Sequence, residues 1–386
     1  MSLQDNQQSK SFLCRYRQLA PSASVRVSPL CLGAMNFGEA YKDGLGECNK
    51  ETSFEILDHF ASQGGNFIDT ANMYQDGESE QWLGDWMASR KNRDEMVIAT
   101  KYCTAYKLHL KDKIQANYGG NGLKSMRISV EESLKNLQTT YIDLFYLHWW
   151  DYTVNIPELM HGLNDLVASG KVLYLGISNT PAWIVVKCNE YARERGLRQF
   201  TVYQGQWNAG LRDLEREIIP MCRAEGMGLL PYGALGSGRF HTKEGYKERE
   251  INNPGRKGRQ YSEREKAVSK ALENVANAHG TILTSVALAY VRQKAPYVFP
   301  IVGGRTLEHL KGNIEALSLY LTQEEMKEIE NAYEFDPGYP NTFLSGNLNV
   351  GGELFSATKP SNVFWTKRQG TFDWVEPEKP IGPIEQ

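Results

Sequence analysis

From Ser28 to Gly304 the chain alternates two hydropathy patterns: short, nearly continuous apolar runs and longer segments whose apolar residues recur at helical spacing. The runs are SPLCLGAM from Ser28, NFIDTA from Asn66, MVIATK from Met96, IDLFYLH from Ile142, VLYLGIS from Val172, FTVYQ from Phe200, GLLPY from Gly228 and YVFPIVG from Tyr297. Each reads as a strand covered on both faces, and amphipathic segments such as SFEILDHFASQG and VEESLKNLQTT lie between them. Helix punctuation agrees: Asn179-Thr180-Pro181 opens a helix, while Gly64, Gly170, Gly196 and Gly226 stand where helices should stop. Eight consecutive strand–helix units predict an α/β fold of the (β/α)8 barrel type.

An open doubly wound sheet fits less well, because no strand is followed by a GxGxxG turn, and GALGSG from Gly233 has a different glycine spacing. The stretch Asp151 to Pro157 is too short and ordinary to link two such domains. The expectation is one barrel domain over residues 1–386, with the barrel at about 16–335 and a tail at about 336–386. Three stretches fall outside the repeat. Tyr16 to Val27 alternates around a Pro-Ser turn and predicts a hairpin plugging the barrel bottom. Gly236 to Arg264, after the seventh strand, is polar and too long for an ordinary connection, as lids are. The chain after Phe335 is rich in Gly, Pro, Asn and aromatics, and such a tail is expected to pack over something.

Composition narrows the function classes. With 41% hydrophobic and 23% charged residues, whole-chain disorder is excluded. A formal charge of −3, with Lys and Arg interleaved among Glu, lacks the basic footprint needed for nucleic acid or an anionic membrane. The greasiest run, Leu144 to Trp150, is far too short to span a bilayer and contains His148. The polar start MSLQDNQQSKSF has no apolar core region, so a cytosolic location is expected. Six cysteines without a CxxC pair are expected to be free thiols.

Side chains at the C-terminal ends of barrel strands converge on one mouth. Here those ends carry Asp69, Lys101, His148, Ser178-Asn179, Gln204, Tyr232 and Gly303-Gly304, followed by Arg305. A buried Asp and Lys at neighbouring ends imply a charge pair, since each alone would be costly; taken alone, such a pair is as readily structural as catalytic. Tyr74, five residues beyond Asp69, can fold back toward it. An adjacent ammonium stabilises phenolate and is expected to bring its pKa down toward a usable range. His148 supplies a second donor. Such a cluster could polarise a carbonyl oxygen and protonate it while a hydride arrives at carbon. Phe37, Trp149, Trp150 and Trp207 fall near the mouth, where they could line an aromatic substrate pocket with Tyr74 and His148 or simply pack in the core.

The set FIDTANMY, IATK, LFYLHWW, GISN, VYQGQWN, LLPYGALGSG and FPIVGGRTLEHLKGNIEAL, in order from about Tyr16 to Glu330, resembles the aldo-keto reductase superfamily. The loop after GALGSG, FPIVGGR and the extended tail resemble its fungal aryl-alcohol dehydrogenase and norsolorinic acid reductase branch. The resemblance implies Tyr74 as proton donor, Lys101 as the residue lowering its pKa, Asp69 as partner of that lysine and His148 as the substrate-orienting residue. It implies NADPH/NADP+ as cofactor. Ser178, Asn179 and Gln204 would hold its carboxamide and Tyr232 would stack on its ring, with Gly33, Met35, Asp69 and Ile301 near by. Gly233, Ala234, Leu235, Gly236, Ser237, Gly238 and Lys243 would reach the pyrophosphate. Gly303, Arg305, His309 and Asn313 would surround the adenosine end, Arg305 suiting the 2′-phosphate.

Two positions depart from the family pattern: Gly312 stands where many members carry Glu, and Gly233-Ala234 replaces a frequent Ser-Pro. The implied activity is reversible reduction of an aryl or polyketide-like aldehyde or ketone to the alcohol, a small-molecule carbonyl or alcohol being the partner. An alternative is an NADPH-binding regulatory subunit resembling potassium-channel β subunits. A metal-dependent barrel hydrolase would need several imidazoles at strand ends, and only His148 qualifies, so no metal is expected.

Overall fold

The computed structural model describes residues 11–252, 261–346, 363–370, 373, 375 and 378–382. An antiparallel pair, β1 (Arg17–Ala20) and β2 (Ala23–Val27), turns at Pro21-Ser22, as the alternation predicts. Eight parallel strands follow: β3 (Cys31–Gly33), β4 (Phe67–Asp69), β5 (Val97–Tyr102), β6 (Ile142–Leu147), β7 (Val172–Ser178), β8 (Phe200–Gln206), β9 (Gly228–Tyr232) and β10 (Ile301–Val302). They pair in chain order, with β10 against β3, and a bridge between Leu229 and Val298 closes the ring. Each predicted apolar run overlaps one of these strands, β5 and β8 extending one and two residues beyond theirs.

Strand periodicity explains how the barrel is filled. Residues two apart share a face, so Phe67, Val97, Ala99, Leu144, Tyr146, Val202 and Leu230 point into the barrel, where they form one cluster with Leu19, Ala20, Ala23 and Val27 of the hairpin. The hairpin is therefore the plug of the barrel floor. Gly176 makes room in this interior, since a Cβ there would collide with the Tyr146 ring. The opposite strand faces, including Ile68, Ile98, Phe145, Leu175 and Ile177, pack in a second, larger cluster with apolar helix faces, among them Leu57 and Phe60 of helix Lys50–Ser62.

Gly64, Gly170, Gly196 and Gly226 all adopt positive φ just beyond helix ends, where a side chain would be strained. The segment after β9 is not all loop: Lys243–Asn252 is helical, and Ser262 caps the helix Glu263–His279 with a reciprocal capping box to Glu265. Of the tail, helices Asn341–Ser345 and Phe364–Lys367 meet through Phe343 and Trp365, and further on Gly382 and Ile381 accept hydrogen bonds from Arg15 and Arg17 beside the hairpin. The end of the described tail thus lies at the barrel floor. All six cysteines are free thiols. No helix among the described residues is long and apolar enough to cross a membrane.

Candidate active site

The interior columns of the strands end in polar residues at the mouth. Phe67 leads to Asp69, Val97 and Ala99 to Lys101, Leu144 and Tyr146 to His148, Val202 to Gln204, and Leu230 to Tyr232. The same period of two that fills the barrel aims its chemistry. Above these residues opens a cavity of about 1020 Å³, walled by Asp69, Tyr74, His148, Asn179, Gln204 and Tyr232 at its base.

At that base Lys101, with no solvent exposure, donates to Asp69 Oδ2 at 2.6 Å, to the Thr70 carbonyl at 2.7 Å and to Tyr74 Oη at 3.4 Å. Gln204 Nε2 donates to the other Asp69 oxygen at 2.8 Å. Burial works against the Lys101 ammonium, but Asp69 and Tyr74 outweigh it and hold its pKa above the ordinary value. The expected net lowering of the Tyr74 pKa does not occur: burial raises it, Lys101 offsets only part, and Asp69 adds to the rise. The phenol therefore keeps its proton at neutral pH. Burial, helped by the Lys101 charge, pushes the His148 pKa down to about 3, so its imidazole is neutral. The Tyr74 and His148 rings meet edge to face, 6.1 Å between centroids.

The turn that presents Tyr74 is unusual. Gln75 and Asp76 both have φ of 53° and Gly77 has φ of 100°, three successive residues in the left-handed region. Side-chain bonds hold it: Gln75 donates to the Met35 carbonyl and accepts from Tyr41 N, and Asp76 accepts from Tyr41 Oη. The loop after β3 is thereby tied to the turn at the mouth.

The remaining wall suits an extended anionic ligand. Asn179 donates to the His148 carbonyl and to Ser178 Oγ, and accepts from Tyr232 Oη, each at 3.0 Å. In the turn after β9, Gly233, Gly236, Ser237 and Gly238 take positive φ, a conformation that glycine adopts without steric cost. A Cβ on Gly233 would strike Ser237 Oγ, and one on Gly236 the Phe240 ring. Farther along, Gly303, Arg305, His309 and Asn313 line the cavity beside the first turn of helix Leu307–Glu315, whose dipole favours phosphate. Arg305 packs across Gly46, where a Cβ would collide with its guanidinium. These features fit a dinucleotide.

Gly33, Met35, Ala234, Leu235, Ser237, Gly238 and Ile301 lie on the wall as expected. Ser178 is buried behind Asn179, and Gly236 shapes the turn without lining the cavity. Lys243 does not line it: the residue is exposed on its helix, and Arg239, paired with Glu265 at 2.7 Å, lines it instead. Two aromatic candidates are corrected. Phe37 and Trp207 are fully buried in the outer core, Trp207 donating to Glu215, because their side chains turn away from the mouth. Trp149 stands half exposed at the rim and donates to Thr104 Oγ1, while Trp150 packs against the core.

Sequence reasoning missed Thr104, Tyr41, Leu45, Arg239, Ile282 and Thr284, all on the wall. Arg239 was traceable, standing just past GALGSG; the others carry no local signal. Among the described residues no group of three His, Cys, Asp or Glu is placed to hold a metal.

The aldo/keto reductase family model matches residues 29–334. The chain is 66% identical to norsolorinic acid reductase B of Dothistroma septosporum, over 96% of this chain and 95% of that protein. It is 63% identical to norsolorinic acid reductase B of Aspergillus parasiticus, over 97% and 99% respectively. An aryl-alcohol dehydrogenase of Pestalotiopsis microspora is 55% identical over 97% of this chain and 94% of its own.

Proposed function

Because the chain belongs to the aldo/keto reductase family, an oxidoreductase family acting on carbonyl compounds with nicotinamide dinucleotides, we propose that it uses NADPH to reduce an aryl or polyketide-like ketone or aldehyde to the alcohol. The observation that carries this reading is the convergence of Asp69, Lys101, Tyr74 and His148 at the base of one cavity. The substrate class is supported by relatives named for norsolorinic acid and aryl alcohols.

The chemistry the dinucleotide supplies when bound is a hydride for the carbonyl carbon. Asn179 and Gln204, backed by Ser178, would hold the carboxamide, and Tyr232 would stack on the nicotinamide ring. The turn 233–238 would receive the pyrophosphate. Arg305, aided by His309 and Asn313, would take the 2′-phosphate, a guanidinium fork matching its oxygens. Tyr74 gives its phenolic proton to the carbonyl oxygen as negative charge develops there. Lys101 stabilises the phenolate left behind, and Asp69 keeps that lysine charged and oriented. Neutral His148 donates a hydrogen bond to the same oxygen. Gln204 links the two ends of the site, since its amide holds Asp69 in line with Lys101.

The regulatory-subunit reading is not favoured: the relatives are named as reductases and a dehydrogenase. A screen of NADPH oxidation over aryl aldehydes and bulky aromatic ketones, with NADH run beside it, tests the proposal. Steady turnover with NADPH on at least one polycyclic aryl ketone is expected. A single stoichiometric burst on every carbonyl would contradict it.

A further inference from the structure

Three groups at the rim form a hydrogen-bonded chain that nothing in the foregoing uses. Trp149 Nε1 donates to Thr104 Oγ1 at 2.9 Å, and Thr104 Oγ1 lies 3.3 Å from His148 Nδ1. They come from two strand ends: Thr104 follows β5, and His148 and Trp149 follow β6. Backbone bonds fix their spacing, with His148 N donating to the Tyr102 carbonyl and Asn179 Nδ2 to the His148 carbonyl.

The direction of the chain follows from what each group can do. An indole N–H only donates, so Thr104 Oγ1 must accept from Trp149. The hydroxyl then has one proton to place, and His148 Nδ1 is the acceptor within reach among the described residues. If Nδ1 instead carried hydrogen, the hydroxyl would accept twice and its proton would find no protein acceptor among the described residues. Nε2 would then also face the cavity as a bare acceptor, where a carbonyl oxygen needs a donor.

We propose that Trp149 and Thr104 form a directional relay that fixes His148 as the Nε2–H tautomer, making Thr104 a positioning residue and Trp149 the group that orients it. The inference rests on the reading of His148 as donor to the substrate oxygen. Because the imidazole stays neutral, its donor capacity depends on tautomer alone, and a neutral ring without a partner at Nδ1 divides its proton between both nitrogens.

The test is 15N NMR of protein labelled at its seven histidines, with His148 assigned by difference from His148→Gln. In the wild type, Nδ1 is expected to be pyridine-like and Nε2 pyrrole-like. Thr104→Val should move His148 toward a mixture of tautomers and lower kcat roughly 10- to 100-fold while the dissociation constant for NADPH stays within about twofold. Thr104→Ser, which keeps the hydroxyl, should restore both the shifts and the rate. Trp149→Phe should shift the tautomer ratio in the same direction as Thr104→Val. A wild-type Nδ1–H, or an unchanged His148 spectrum in Thr104→Val, would overturn the relay. Failure of the reductase reading shows itself separately, as turnover retained in Tyr74→Phe, whereas the tautomer spectra need no substrate.

Discussion

Lys101 keeps its charge without solvent exposure because three oxygens replace its hydration: Asp69, the Thr70 carbonyl and Tyr74. Such a pair adds little net stability, but removing one member strands the other and costs about 3–5 kcal/mol. The lysine is held in place by the barrel and not the reverse. His148 gives a prediction of its own. Its folded pKa is depressed to about 3 from an unfolded value of 6.5, so between those values the unfolded chain binds the extra proton. Stability contributed by His148 is therefore complete above pH 6.5 and lost as pH falls toward 3, at no more than about 1.4 kcal/mol per pH unit. Chemical denaturation from pH 7 to pH 4 should show a steeper decline in the wild type than in His148→Gln; parallel curves would remove the burial argument.

At this scale the sequence was legible where periodicity dictates direction. Asp69, Lys101 and His148 end interior columns of their strands, and their convergence follows from counting by two. Trp207 falls on the outward column of β8 with Tyr203, so the same count sends it into the outer core, whereas Phe37 lies four residues beyond β3, where no period constrains the side chain. Thr104 gave no signal because its meaning depends on His148 and Trp149, forty-odd residues away.

Among the elements, the hairpin does what a floor must do. Leu19 is fully buried against the lowest layer of the barrel, and Gly228 at the start of β9 has no room for a Cβ because the Leu19 carbonyl lies against it. Leu19→Ala should lower stability by about 2–5 kcal/mol, measured by denaturant unfolding, with kcat unchanged because the mouth is at the opposite end. A loss of kcat without a loss of stability would contradict this division of labour. The hairpin and all eight strands were readable because alternation and strand-length apolar runs are local signals. The helix Lys243–Asn252 was hidden, its residues being almost entirely polar, so that no apolar stripe marks it within the segment after β9. The turn at Tyr74 was likewise invisible, since two non-glycine residues in the left-handed region are held by their own side-chain bonds to the Met35 carbonyl and to Tyr41 and not by local preference.

Over the whole molecule, the strands form the base of the cavity and the loops after β3, β9 and β10 line its outer wall, where the proposed choice between NADPH and NADH would be made. Arg305 bridges the loops after β3 and β10, resting on Gly46, whose φ of 85° already demands glycine. Arg305→Ala should weaken NADPH about tenfold or more, the scale of one or two charge-assisted hydrogen bonds, with little effect on NADH. Gly46→Ala should do the same by displacing the guanidinium. Fluorescence titration with both dinucleotides checks this, and an equal loss for both would place the 2′-phosphate elsewhere.

In the proposed reaction Tyr74 passes its proton to the substrate oxygen, and the groups proposed to hold the dinucleotide lie elsewhere on the wall. Stopped-flow mixing of the NADPH-loaded chain with an aryl ketone, in wild type and Tyr74→Phe, separates the two roles. NADPH oxidation is expected to slow at least about 10²-fold in the variant, while NADPH fluorescence titration gives an unchanged dissociation constant. Oxidation at the wild-type rate, or loss of NADPH binding together with the rate, would contradict the proposal.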